Sequence, residues 1–161
     1  MTQLTYFILI SFFSFNVFAF DINCEFEEVY ADGSVQNGTL LISDEDMRYQ
    51  YDDQNLFTIF KKKDSFYYVE HVNKESFKKL PNEKALVLNN FSIIAQEFPD
   101  IRDKYFFDDM TISLELKADY SFINRLSILS DTINMSIFFY ECKKEKVENK
   151  FLQYFPYHEL S

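Results

Sequence analysis

The chain carries two cysteines, Cys24 and Cys142, and two histidines, His71 and His158, and these four residues bound most of its nucleophile and metal chemistry. Neither cysteine has a histidine beside it, so no activated thiol is indicated. The histidines stand too far apart for a zinc pattern. Asp44-Glu45-Asp46 and Asp52-Asp53 cluster acid side chains, but without the spacing or the glycine of an EF-hand loop. With 2 glycines in 161 residues the chain has no GxGxxG, P-loop or GxSxG element. These absences point away from an enzyme: no catalytic residue, no metal ligand set and no cofactor is expected. Arg48 is the only base between Asp21 and Phe60, where ten acids stand, so this segment holds −9 of the net charge of −10. A chain with 26 acids against 16 bases is not built to bind nucleic acid.

The residues in front of Cys24 decide what the cysteines mean. Thr2 to Ala19 contain no charged side chain, and the apolar run Phe7 to Phe18 is short for a membrane span. Val17 and Ala19 suit the −3 and −1 positions of a signal-peptidase site. The expectation is a signal peptide over 1–19, cleaved after Ala19, and a single domain over 20–161; a retained membrane anchor is the competing reading. Asp21-Ile22-Asn23 before Cys24 is not a lipobox. In an oxidising compartment Cys24 and Cys142 can form a bridge closing most of the chain, a contribution of about 4 kcal/mol in the chain-entropy model. Two buried free thiols are the alternative.

The elements that must position these residues follow a period of two. Ile22, Cys24 and Phe26 alternate with Asn23, Glu25 and Glu27, as in a half-buried strand. Asp32-Gly33 is a hairpin signal leading into Val35–Ile42. Polar turns then separate Met47–Tyr51, Leu56–Phe60, Ser65–Val72 and Phe77–Leu80, an antiparallel meander. From Glu83 to Phe98 the spacing of Leu88, Phe91, Ile94, Ala95 and Phe98 predicts an amphipathic helix stopped by Pro99, with a strand at Ala85–Leu88 and a shorter helix as the variant. Ile101 to Asp109 reads as a charged connector. Met110–Ala118, Phe122–Leu129, Ile133–Cys142 and Val147–Phe155 return to alternation. The fold class expected is mainly β: about nine strands in one strongly curved antiparallel sheet, with one helical excursion.

Several strands are apolar on both faces. Ser65–Val72 has Phe66, Tyr68 and Val72 on one side and Tyr67 and Val69 on the other. The sheet therefore buries a thick aromatic core, or it encloses an apolar cavity roofed by the Glu83–Phe98 segment.

The stretch Gly38-Thr39-Leu40-Leu41-Ile42, then Met47-Arg48-Tyr49-Gln50-Tyr51, then Leu56-Phe57-Thr58-Ile59, resembles the outer-membrane lipoprotein carrier (LolA/LolB-like) family. Phe66–Val69 with Phe77–Pro81, Arg125–Ile128 through Asn134–Ile137, and Phe151–Pro156 extend the likeness over about Gly38 to Pro156. The resemblance implies an unclosed half-barrel, of eleven strands in the family, with a helical lid covering its concave face, in the Gram-negative periplasm. It further implies transport of lipid or lipoprotein acyl chains as a chaperone-like monomer, between membrane-bound donor and acceptor proteins. By position, Arg48 matches the strand arginine that bonds lid backbone and latches the empty site. The apolar cavity is assigned to Leu40, Ile42, Tyr49, Tyr51, Phe57, Ile59, Tyr68 and Leu114. Three lysines and Asp64 replace the family's Asp-Gly turn, and no helix precedes the first strand. The rival reading is an envelope interaction module that holds no ligand and offers its acidic face to a basic partner.

Overall fold

A computed structural model of the chain describes residues 21–81 and 85–160. The expected signal segment 1–19, and the first two residues of the expected helix, lie outside the described residues. Ten strands form one antiparallel sheet that does not close. They are β1 (Asp21–Tyr30), β2 (Val35–Ser43), β3 (Asp46–Tyr51), β4 (Phe57–Lys62), β5 (Ser65–Glu70), β6 (Phe77–Leu80), β7 (Lys104–Phe107), β8 (Met110–Leu116), β9 (Ile123–Ser130) and β10 (Asn134–Lys143). One helix, α1 (Leu86–Gln96), lies in sequence between β6 and β7, and a 3₁₀ turn (Asn149–Leu152) follows β10.

The strand order β6-β5-β4-β3-β2-β1-β10-β9-β8-β7 joins two meanders along a single seam, β1 against β10. Because β6 and β7 are the two edges, the segment between them must carry the chain from one edge to the other, and α1 is in that segment. Its Leu88, Phe91, Ile94 and Ala95 belong to the same hydrophobic cluster as Ile22, Leu40 and Phe139. Phe91 stacks on Phe139 of β10 at 5.4 Å, and Asn90 Nδ2 lies 3.8 Å from the Met110 sulfur of β8. No charged side chain occurs in α1, and no side chain caps its N-terminus. Packing is thus what holds it.

The period-two reading is sound through both meanders and fails in two places. Ile101–Asp109 contains an edge strand, β7, pairing Tyr105 with Ile112 and Phe107 with Met110. Val147–Phe155, expected as a strand, is not one. It forms the 3₁₀ turn and an irregular run, because its apolar residues bind the outer face of the sheet side-on instead of pairing with an edge. Val147 and Leu152 bury against Leu41, and Tyr154 stacks on Tyr67 at 4.1 Å.

Cys24 and Cys142 are bridged, across the seam, at a sequence separation of 118. The register beside the bridge slips from Asn23↔Lys143 to Glu25↔Tyr140. The extra residue on β10 makes a bulge, and Glu141 there has φ 46°.

Candidate functional site

Alternation sets the two faces of the first meander. Cys24, Leu40, Tyr49, Ile59 and Tyr68 are successive cross-strand partners, so they line one face in a single row. This inner face carries the main core. Leu40, Ile42, Tyr49, Ile59 and Leu114 are buried in it, while Tyr51, Phe57 and Tyr68 pack against it half-buried. All eight residues assigned to a cavity from the sequence therefore share one cluster. They differ in access: Phe57, Ile59 and Tyr68, with Leu80, line an open groove of about 580 Å³ toward the β6 edge, whereas Leu40 and Tyr49 are sealed in the core.

A tight aromatic stack fills the middle of this face. Gly38 makes it possible, since a Cβ there would meet the Phe26 ring at 2.4 Å and the Gln50 carbonyl at 2.0 Å. Phe26 lies over the glycine, stacks on Tyr49 at 4.0 Å and meets Tyr51 edge-on at 5.8 Å. Tyr51 in turn meets Phe57 at 5.4 Å, and Phe57 meets Tyr68 at 5.9 Å.

Within this stack sits a group that the sequence reading did not single out. Glu28 of β1 is 3% exposed. Tyr49 donates its hydroxyl to Oε1 at 2.7 Å, Tyr30 donates to Oε2 at 2.5 Å, and Tyr51 reaches both oxygens at 3.2 and 3.1 Å. None of the ion pairs among the described residues involves Glu28. Burial, and then the adjacent carboxylate, push the Tyr49 and Tyr51 hydroxyls well above the ordinary phenol range; burial and hydrogen bonding to Glu28 do the same for Tyr30. The signal was present in the alternation: Glu28 has the parity of Ile22, Cys24 and Phe26, the buried parity, with Tyr30 on its own strand and Tyr49 and Tyr51 on β3, beyond β2.

Arg48 lies on the opposite, outer face and is fully buried. It does bind backbone carbonyls, but those of the C-terminal segment: Nη1 donates to Phe151 O at 3.0 Å and to His158 O at 2.7 Å. Its Nε donates to Gln50 Oε1 at 3.0 Å, and the guanidinium sits 5.3 Å from the Phe60 ring and 4.8 Å from the Tyr157 ring. Burial pulls its pKa down, opposed by Tyr157 and Glu159. Tyr157 completes the assembly, its hydroxyl donating to Gln50 Oε1 at 3.1 Å and lying 3.1 Å from Thr58 Oγ1. Thr58 bonds His71 Nε2 at 3.0 Å, and His71 Nδ1 lies 2.8 Å from Asp53 O. His71 is thus tied into a polar network beneath the tail.

Neither a protein-family model nor a curated protein matches this chain. Its chemistry is therefore argued from these contacts alone. The acids around Arg48 are not one free patch either. Asp46 pairs with Lys62, Asp21 accepts from Ser43 at 2.6 Å and from the Val147 amide at 3.0 Å, and Glu28 faces inward. Among the described residues no cluster of side chains is arranged to hold a metal ion.

Proposed function

We propose that the protein is an exported, non-enzymatic carrier or chaperone for acyl chains, a divergent relative of the LolA/LolB-like periplasmic carriers. The observation that carries this reading is the open groove of about 580 Å³ along Phe57, Ile59, Tyr68 and Leu80, beside an unclosed edge of a half-barrel-like sheet. Its size lies within the ~300–1,000 Å³ typical of small-ligand sites, and its lining is mainly apolar.

In this reading α1 is the movable cover. It contains no charge, it is held by packing alone, and Ile93 on its outer side is exposed, so both its faces suit contact with hydrocarbon. Moving it would open Phe91, Ile94 and the strand residues beneath to a longer chain. Arg48 fastens the C-terminal segment, keeping the outer face dry while the inner face exchanges cargo. The acidic-face alternative has less support, because the acids of β1 to β3 are divided between inward, paired and exposed positions.

Lipid mass spectrometry on protein purified from its native compartment tests the proposal. Co-purifying lipid or acylated peptide, with uptake of a fluorescent fatty-acid probe, is the expected result. Consistently lipid-free protein that excludes the probe would overturn it.

A further inference from the structure

We propose that a hollow adjoining this groove, walled by Tyr30, Tyr51 and Phe57 and backed by Glu28 behind the two tyrosines, is a headgroup site for an alkylammonium amphiphile. The inference rests on the carrier reading and narrows its cargo. A buried carboxylate ordinarily has a cationic partner, because removing its charge from water is costly. Among the described residues Glu28 instead has only phenol hydroxyls as partners, and in each of those bonds it is the acceptor. The missing partner can come from outside.

The hollow, of about 300 Å³, is lined by Tyr30, Asp32, Ser34, Gln36, Tyr51 and Phe57, and Glu28 lies behind it, bonded to the Tyr30 and Tyr51 hydroxyls. Among the described residues no lysine or arginine lines it. Tyr51 and Phe57 meet at an interplanar angle of 83°, which gives two aromatic walls set nearly at right angles. The hydroxyls of Tyr30 and Tyr51 are directed at Glu28, so their donors are already used and cannot serve an anion. Aromatic walls backed by negative charge and free of bases are the chemistry that recognises an alkylated ammonium. A carboxylate or phosphate headgroup would face Asp32 in the lining and the charge of Glu28 behind the tyrosines, with no donor cation among the described residues.

The hollow shares Leu56 and Phe57 with the larger apolar groove, so a headgroup in the one leaves its chain room in the other. The far end of that groove carries Lys79 and Lys78, the latter paired to Glu70 at 2.8 Å. This places the cation at the Glu28 end and fixes the ligand's direction.

The test is calorimetry on the exported chain, disulfide intact, at low salt, with dodecyltrimethylammonium, dodecylphosphocholine and laurate below their micellar concentrations. Dodecyltrimethylammonium should bind about tenfold tighter than laurate, and Phe57→Leu should reduce that preference by about tenfold. Glu28→Gln, nearly isosteric, should abolish it while laurate binding persists. Should that variant fail to fold, Phe57→Leu decides the matter on its own. Dodecylphosphocholine binding with the same Phe57 dependence would assign the ammonium to a lipid headgroup. Its exclusion while the simple cation binds would assign it to a free alkylammonium. Laurate binding as tightly as the cation would overturn the headgroup site and leave the carrier standing; failure of all three amphiphiles to bind would remove both.

Discussion

Arg48 and Glu28 are the two buried charges on which the chemistry of this chain turns, and they sit on opposite faces of the sheet, on β3 and β1 with β2 between them. For Arg48, removal of the guanidinium strands the carbonyls of Phe151 and His158 and the Gln50 side chain. Arg48→Leu is expected to cost about 3 kcal/mol, the scale of several buried polar groups left unpaired. The tail should become protease-sensitive over residues 144–160 before the sheet does. Equal protection of tail and sheet in the variant would mean that Arg48 does not fasten it. Around Glu28 the expected signature is alkaline. The folded-state pKa values of Tyr30, Tyr49 and Tyr51 are raised above the ordinary value, so the stability tied to their neutral form is complete below about pH 10 and is lost as pH rises through the folded values. Tyrosinate absorbance should therefore show a late, cooperative step coincident with loss of far-ultraviolet circular dichroism; smooth ionisation of every tyrosine near pH 10 in an intact fold would refute it. Arg48 was legible as a lone base able to hold carbonyls under a cover. Which cover it holds was not, because residue type says nothing of the face a strand turns outward. Glu28 was hidden by its own type, an acid counted only among the ten of its segment although its parity was that of the core.

At the scale of elements, the strands of the first meander were legible because short polar turns punctuate clean alternation, and α1 because Leu88, Phe91, Ile94 and Ala95 recur at helical spacing. The tail was misread for a physical reason: Val147 to Phe155 alternates like a strand, yet it runs across the outer face, from Leu41 of β2 to Tyr67 of β5 and Phe77 of β6, and its side chains pack on that face instead of its backbone pairing with an edge. The β4–β5 hairpin shows how a local rule can be broken and tested. Lys62 and Ser65 close it, and Lys63 stands at the first turn position with φ 51°, a left-handed conformation costly for a residue with a Cβ. Lys63 is exposed, so its replacement disturbs the turn alone. Relief of about 1–2 kcal/mol, less the ~0.5–1 kcal/mol that glycine adds in unfolded-chain entropy, predicts Lys63→Gly to stabilise by roughly 0.5–1 kcal/mol. Urea unfolding should show a higher midpoint with an unchanged slope. A lower midpoint would mean the turn is not strained by lysine.

The whole molecule is two meanders sewn at one seam, and the bridge lies on that seam. β1 to β6 and β7 to β10 pair with one another only through β1 and β10, so the ladder there and the core across it hold the halves together, with α1 packing against both. A cross-link at any other strand pair would tie residues of one meander; Cys24–Cys142 instead ties the chain's beginning to its end. With 118 residues of separation, loss of the bridge should cost about 4–5 kcal/mol through the unfolded chain. A double Cys24→Ala, Cys142→Ala variant isolates that effect, since each cysteine alone would leave a reactive thiol. Its denaturation should keep one transition if the β1–β10 hydrogen bonds suffice to couple the meanders. Two transitions, with the β7 to β10 half melting first, would mean that the bridge rather than the ladder makes the sheet cooperative. The second meander is the smaller, and α1 shares its core through Asn90 on Met110 and Phe91 on Phe139. Loosening it would therefore free α1 as well. The same variant should bind a fluorescent fatty-acid probe faster than the bridged protein if access to the inner face is gated by α1, and at the same rate if the groove beside β6 is the only way in.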